Sequence, residues 1–294
     1  MTDWITAPFE YAFMQRALLA CILIGFTNGF LGTFIILRRM ALVADALSHS
    51  LLPGLAIAAI IAGLSPGGLL IGGVIAAGFV AIGGFLISRS SRLKDDTAIA
   101  SLYIVAFALG IVVIKYANVR VSLDHFLFGN ILGVGVSDLN VSFVISTFIM
   151  LTLVLLHRPL LLTLFESSVA RSLGIPANSL LGLLVAFIVL AMLSSLQAIG
   201  ILLSLGLLIL PAATMYLLTD RYSVMAWGAA SLGTFTAVVG LFFSYYANIP
   251  SGPAIVLLLG TEFILAFFFS PTYGLLQRYF RGRHLHDESL SRWK

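Results

Sequence analysis

Long apolar segments follow one another along almost the whole of this chain. Each covers about 20 residues, the length that a helix needs to cross the roughly 30 Å hydrocarbon core of a bilayer. Nine can be marked, at 14–37, 42–63, 67–88, 97–117, 138–157, 179–197, 199–218, 223–246 and 253–270. The sixth and seventh spans are nearly contiguous in sequence, so they form either a helical hairpin or one broken element. The pattern predicts an all-α, polytopic transmembrane bundle of about eight to nine spans in one domain, residues 1–294.

Composition excludes a soluble protein. Hydrophobic residues make up 60% of the chain and charged residues 10%, whereas soluble domains have about 45–50% and about 25%. The single cysteine, Cys21, excludes a disulfide framework within the chain. The N-terminus lacks the basic start and small-residue cleavage site of a signal peptide, so we expect the first span to be retained.

The basic residues predict the orientation. If the N-terminus is outside, three basic residues (Arg16, Lys115 and Arg120) fall in outside segments, and the other thirteen of the sixteen fall inside. This asymmetry follows the positive-inside rule and requires an odd number of spans. The C-terminal tail, 272–294, is then cytoplasmic. Because the net charge of +4 is explained by topology, it gives no reason to expect a nucleic-acid partner.

Two connecting segments are too apolar for open loops. Segment 118–137 is external and too short to span, which predicts a re-entrant or interfacial element. Segment 158–178 is internal and amphipathic, which predicts a helix along the inner surface.

The third span carries two rows of small residues at four-residue spacing. These are Gly68, Gly72 and Ala76, and Gly73, Ala77 and Ala81. In lipid such rows allow helix backbones to approach closely. They predict either packing inside one subunit or a contact between two copies.

Asp45 and His49 carry the strongest chemical signal. They lie four residues apart in the second span, so they share one helix face. An ionisable group in a span costs about 2.5–3.5 kcal/mol on insertion scales and therefore suggests function. A carboxylate oxygen with an imidazole nitrogen suits Mn²⁺, Fe²⁺ or Zn²⁺. The alternative is a hydrogen-bonded pair that only fixes packing.

Prolines mark two further positions in the spans. Pro53 has no backbone N–H to donate to the carbonyl of His49. A kink there would leave that carbonyl oxygen free to bind a cation, a water or Ser48. Pro211 similarly frees the carbonyl of Leu207 and predicts another kink.

Four other residues, Ser48, Asp124, His125 and Glu262, are secondary candidates for the path of an ion. Glu262 lies inside the ninth span, where it either lines a cavity or bonds a neighbouring helix. Asp124 and His125 lie at the predicted outer mouth, where they either attract cations or form a solvated loop pair.

Several catalytic motifs are absent from the sequence. It contains no G-x-x-x-x-G-K-[ST] loop, no H-E-x-x-H and no G-x-S-x-G. If ATP drives transport, another chain must therefore bind the nucleotide. The chain itself is expected to be a transport subunit without enzymatic activity and without a permanently bound cofactor.

The chain resembles the permease subunits of the manganese/zinc/iron family of ABC transporters from about residue 12 to residue 271. Five blocks in the family's order carry the resemblance: "RRMALVADALSHSLLPGLAIA" at 38–58, "DDTAIASLYIVAFALGIVVI" at 95–114, "LFGNILGV" at 127–134, "AIGILLSLGLLILPAATMYLLTDR" at 198–221 and "PSGPAIVLLLG" at 250–260.

The resemblance implies a binding-protein-dependent importer of a divalent metal ion. Two permeases and two ATPases would form the complex, and an external binding protein would deliver the ion. The family's "GDALSH" block reads "ADALSH" here, so Asp45 and His49 would line the path.

The resemblance also implies where the ATPase docks. The family's cytoplasmic loop between its middle spans matches 160–176, where Glu166–Ser167 replaces the common Asp-Pro. The docking residues expected there are Leu164, Glu166, Val169, Arg171, Leu173 and Gly174.

Two other functions compete with an ABC permease. An ion-gradient-driven transporter would also use intramembrane carboxylates, but the sequence shows no convincing internal repeat. A membrane metalloenzyme would need a catalytic ligand set and a general base, and the spans offer one Asp–His pair.

Overall fold

A computed structural model describes residues 10–63, 65–116, 129, 131–271 and 273–276, and in these ranges the regular elements are helices. Nine of them are long and apolar enough to cross a membrane, which confirms the predicted all-α bundle. The α-helices are α1 (Ala12–Arg38), α2 (Ala41–Ala62), α3 (Pro66–Ser90), α4 (Asp95–Tyr116), α5 (Val136–Leu155), α6 (His157–Phe165), α7 (Ser167–Ser172), α8 (Ala177–Ile199), α9 (Ile201–Leu218), α10 (Tyr222–Ala247) and α11 (Ser251–Phe269).

Helix α1 packs closely against α9 and α10. A Cβ atom added at Gly25 would lie 3.0 Å from the carbonyl oxygen of Gly233, and Gly29 lies against Ala229 in the same way. From the first contact to the second, the residue numbers rise in α1 and fall in α10, so these two helices are antiparallel. Glycine permits this approach because it has no side chain between the backbones.

The α8–α9 junction is a reversal of direction between two separate spans. Asn28 Nδ2 donates to the carbonyl of Ser204 at 3.4 Å, and four residues later Gly32 lies against Leu208. From the first contact to the second, the residue numbers rise in both helices, so α1 and α9 run in the same direction. Asn28 Nδ2 also donates to Ser195 Oγ of α8 at 3.1 Å, so the chain folds back between Ser195 and Ser204, and α9 fits the seventh of nine alternating spans. The turn is made by Gly200, whose φ of +82° is favourable for glycine.

A second group of helices, α2, α3 and α4, surrounds Pro53. The backbones of α2 and α3 meet where Gly54 faces Gly72, and a Cβ added at Gly110 of α4 would lie 2.9 Å from the nitrogen of Pro53. A Cβ added at Gly73 would meet the Leu193 side chain of α8. Both small-residue rows of α3 therefore pack inside one chain, which confirms the predicted packing inside one subunit.

Substituting Gly72 by Ala should destabilise the protein. The added Cβ would lie 2.6 Å from the Cβ of Ala58 and would also meet the Gly54 backbone, and overpacking of this kind costs about 1–3 kcal/mol. We expect a lower melting temperature of the purified protein in detergent. Gly78→Ala is the matched control, because it lies on the same helix with open space around it. Equal melting temperatures for the two variants would contradict this packing.

The described end of segment 118–137 folds against the α8–α9 turn. The backbone of Gly129 lies against that of Ile199, and Ile131 and Val134 are buried in a cluster with residues of α1, α8 and α9. These contacts suit a re-entrant element, and its position in a bilayer stays a prediction. Residues 117–128 and 130 lie outside the described part of the chain.

Segment 158–178 forms two short helices, α6 and α7, separated at Glu166, where one helix was predicted. Arg38 Nη1 donates to the carbonyl of Leu164 at 3.3 Å and ties α6 to the end of α1. Leu164 is only 6% exposed. Its side chain is therefore packed inside this chain, and its expected role as a docking contact stays a prediction.

Candidate metal-ion site

Asp45 and His49 lie next to each other on α2, about one helical turn apart. His49 Nε2 is 3.6 Å from Asp45 Oδ1. A direct N–H···O hydrogen bond is usually about 2.7–3.2 Å long, so the two side chains are not directly hydrogen-bonded to each other. Two ligand atoms about 2.1 Å from one ion at a tetrahedral angle lie about 3.4 Å apart. The observed separation is therefore wide enough for a shared cation, and it also suits an ion pair in which His49 is protonated.

The site is open on one side. The side chains of Asp45 and His49 are 45% and 27% exposed in the isolated chain. A carboxylate facing lipid in a span would be costly without a partner. Since α2 belongs to the spanning helices, this face requires water, a cation or another protein surface against it.

Two aromatic residues of α4 pack around His49. The Tyr103 ring stacks on the imidazole with centroids 6.1 Å apart and an interplanar angle of 24°. The Phe107 ring meets it edge-on at 5.4 Å. Sequence reasoning missed both residues. Their i, i+4 spacing on α4 was a visible signal, but nothing in one sequence connects that face of α4 to α2.

Ser48 does not share the open face with Asp45. Its hydroxyl donates to the carbonyl of Asp45 at 2.7 Å, and its side chain is buried. Ser48 therefore bonds to its own helix, and as an ion-path candidate it stays a proposal. Helix α2 continues through Pro53, against which Gly110 packs.

The other path candidates lie elsewhere. Glu262 Oε1 accepts a hydrogen bond from Thr236 of α10 at 2.6 Å, as expected for a bond to a neighbouring helix. Its Oε2 is buried, with no hydrogen-bond partner among the described residues. Pro211 lies inside α9, and its ring packs near Gly233 of α10. Asp124 and His125 lie outside the described residues.

The site holds only part of a ligand set. Over the described ranges, no group of three or more His, Cys, Asp or Glu side chains could hold a metal ion. A structural metal centre usually has about four protein ligands. Asp45 and His49 therefore form a partial site, which suits an ion that must leave as well as enter.

Comparisons with known proteins identify the family of the chain. The model of the ABC 3 transport family matches residues 10–270. The manganese transport system membrane protein MntC of Halalkalibacterium halodurans is 45% identical over 290 residues, which cover 98% of each chain. A probable iron transport system membrane protein of Haemophilus influenzae is 33% identical, with 95% of this chain and 97% of that protein covered.

A solved structure agrees with the sequence relatives. A chain of PsaBC from Streptococcus pneumoniae in complex with Fab matches with a TM-score of 0.84 at 35% identity, over 95% of this chain and 98% of that chain. The family resemblance predicted from the five sequence blocks is thus confirmed. The protein is a multi-pass membrane protein, and it belongs to the ABC 3 transport family.

Proposed function

We propose that this chain is the membrane-spanning permease of a binding-protein-dependent ABC importer for a divalent transition-metal ion. The single observation that carries the proposal is the open Asp45–His49 pair on α2, whose N···O separation of 3.6 Å suits a shared cation. The relatives include membrane proteins of a manganese and of an iron transport system, and this chain matches them over nearly its whole length. Family membership favours this function over the ion-gradient-driven transporter and the metalloenzyme.

The cargo is proposed as Mn²⁺, Fe²⁺ or Zn²⁺. A hard carboxylate with a borderline imidazole accepts all three, and selectivity among them depends on geometry and supply more than on ligand identity. The names of the relatives include both manganese and iron. The metal is cargo here, so a partial site is sufficient.

The cytoplasmic partner is proposed to be a pair of ATPase subunits that dock on α6 and α7. The docking face consists of the exposed apolar side chains of Phe165, Val169 and Leu173. Around them lie Glu166, Arg171 and Gly174, which are also exposed. An exposed apolar cluster between polar residues is typical of a protein interface.

Gly174 holds the docking face in position. It has a φ of +76°. The N–H of Gly174 donates to the carbonyl of Arg171, and the N–H of Ile175 donates to that of Ala170. This is a Schellman cap, which ends α7 and leaves Leu173 at its tip.

A second copy of this chain is proposed to cover the open face of α2. One chain offers an Asp and a His, and two copies about a twofold axis would double this set. The small-residue rows of α3 are already used inside the chain, so the contact between copies must lie elsewhere. The proposed orientation, N-terminus outside and C-terminus cytoplasmic, follows from the basic residues.

Reconstitution tests the function. We expect the chain, its cognate ATPase and its binding protein to form a complex with two copies of this chain. Binding protein loaded with at least one of Mn²⁺, Fe²⁺ and Zn²⁺ should stimulate ATP hydrolysis and ATP-dependent metal uptake by vesicles. Uptake driven by an ion gradient without the ATPase would contradict the proposal, and a single copy in the active complex would contradict the dimer.

A further inference from the structure

The imidazole of His49 is held in an unusual way for a metal ligand. In most metal sites the ring nitrogen that does not bind the metal donates to a carboxylate, a backbone carbonyl or water, which fixes the orientation of the ring. His49 Nδ1 is buried and has no hydrogen-bond partner among the described residues. Its Nε2 faces the Asp45 carboxylate. Something other than a hydrogen bond from Nδ1 must therefore fix the ring.

The two aromatic rings of α4 supply that constraint. Tyr103 stacks nearly parallel to the imidazole, which restrains its tilt. Phe107 meets it at 80°, which blocks rotation toward that side. Both contacts lie within the 4.5–7 Å range of favourable aromatic pairs. The two rings thus restrain the imidazole in two roughly perpendicular directions.

We infer that Tyr103 and Phe107 are positioning residues, which orient His49 so that Nε2 and the Asp45 carboxylate can bind one cation together. This inference rests on the proposed function. The hydroxyl of Tyr103 has no part in it, because the stacking contact involves the ring. We call the Tyr103 and Phe107 rings the aromatic clamp. Their packing does not raise the basicity of the imidazole, as a hydrogen bond to a carboxylate would. It therefore fixes geometry while leaving the ligand weak enough for release.

Direct metal binding tests the clamp. The purified complex is titrated with Mn²⁺ alone, and free Mn²⁺ is followed by its electron paramagnetic resonance signal. Loss of an outer positioning group typically reduces metal affinity about 10–100-fold. We expect Tyr103→Leu and Phe107→Leu each to weaken Mn²⁺ binding by about tenfold, and Tyr103→Phe to bind like the wild type. In a His49→Ala background, the two Leu substitutions should change the remaining affinity no further.

A matched variant separates positioning from general stability. Phe148 makes a similar edge-on aromatic contact, with Phe187, on other helices. Phe148→Leu should leave Mn²⁺ affinity unchanged, even where its melting temperature falls as far as that of Phe107→Leu. Wild-type affinity in both clamp variants, or an equal loss in Phe148→Leu, would overturn the inference. If His49→Ala itself binds and transports metal normally, the assignment of the site to Asp45 and His49 fails, whereas uptake without the ATPase would contradict the proposed function.

Discussion

Asp45→Asn and His49→Ala should each reduce metal uptake to the level of vesicles without the complex. Asparagine keeps the shape of Asp45 but removes the negative charge, which is the largest attraction that the site offers to a divalent ion. Alanine at His49 removes the nitrogen ligand. With only these two groups in the described part of the site, losing either leaves one protein ligand per chain. Uptake of radioactive Mn²⁺ or Zn²⁺ by reconstituted vesicles measures the effect.

Assembly should survive both substitutions. Neither side chain is fully buried, and the 3.6 Å separation means that no direct hydrogen bond is broken. Asp96→Asn is a suitable control, since it changes the same residue type as Asp45→Asn outside the site. The control should transport normally, and all three variants should copurify with the ATPase. Wild-type uptake by Asp45→Asn and His49→Ala would remove the site assignment.

The membrane fold could be predicted because lipid imposes one requirement on every span. Each span needs about 20 apolar residues with internally satisfied backbone hydrogen bonds, and this signal is local. The α8–α9 junction was harder, because a single glycine, Gly200, makes the turn. The reversal is evident only when Asn28 of α1 is matched to both Ser195 of α8 and Ser204 of α9. That match is a contact between distant parts of the chain.

From the sequence, the candidate site could be predicted only for residues that lie on the same helix. Asp45 and His49 were identifiable because i, i+4 spacing places them on one face. Tyr103 and Phe107 were not, because their role depends on how α4 packs against α2. The burial of Leu164 was not predicted for a related reason. The predicted single helix is broken at Glu166, so Leu164 faces the core while Val169 and Leu173 face outward.

Replacing Phe165, Val169 and Leu173 together by Ser should uncouple ATP hydrolysis from transport. These apolar side chains are exposed on the proposed docking face. Burying one such side chain fully at an interface contributes about 1.5–3 kcal/mol. Since about 1.4 kcal/mol corresponds to a factor of ten in affinity, the triple variant should bind the ATPase at least about tenfold more weakly. The number of metal ions transported per ATP hydrolysed, measured in vesicles, should fall accordingly.

The apolar area of the face, more than its detailed shape, should determine docking. The triple variant Phe165→Leu, Val169→Ile and Leu173→Met keeps that area and should retain coupling. A Val169→Cys variant locates the partner, because the natural Cys21 is buried and a crosslinker should react selectively at the surface. Crosslinks to the ATPase are expected. Crosslinks to the external binding protein would reverse the proposed orientation, and unchanged coupling in the Ser variant would place docking on another surface.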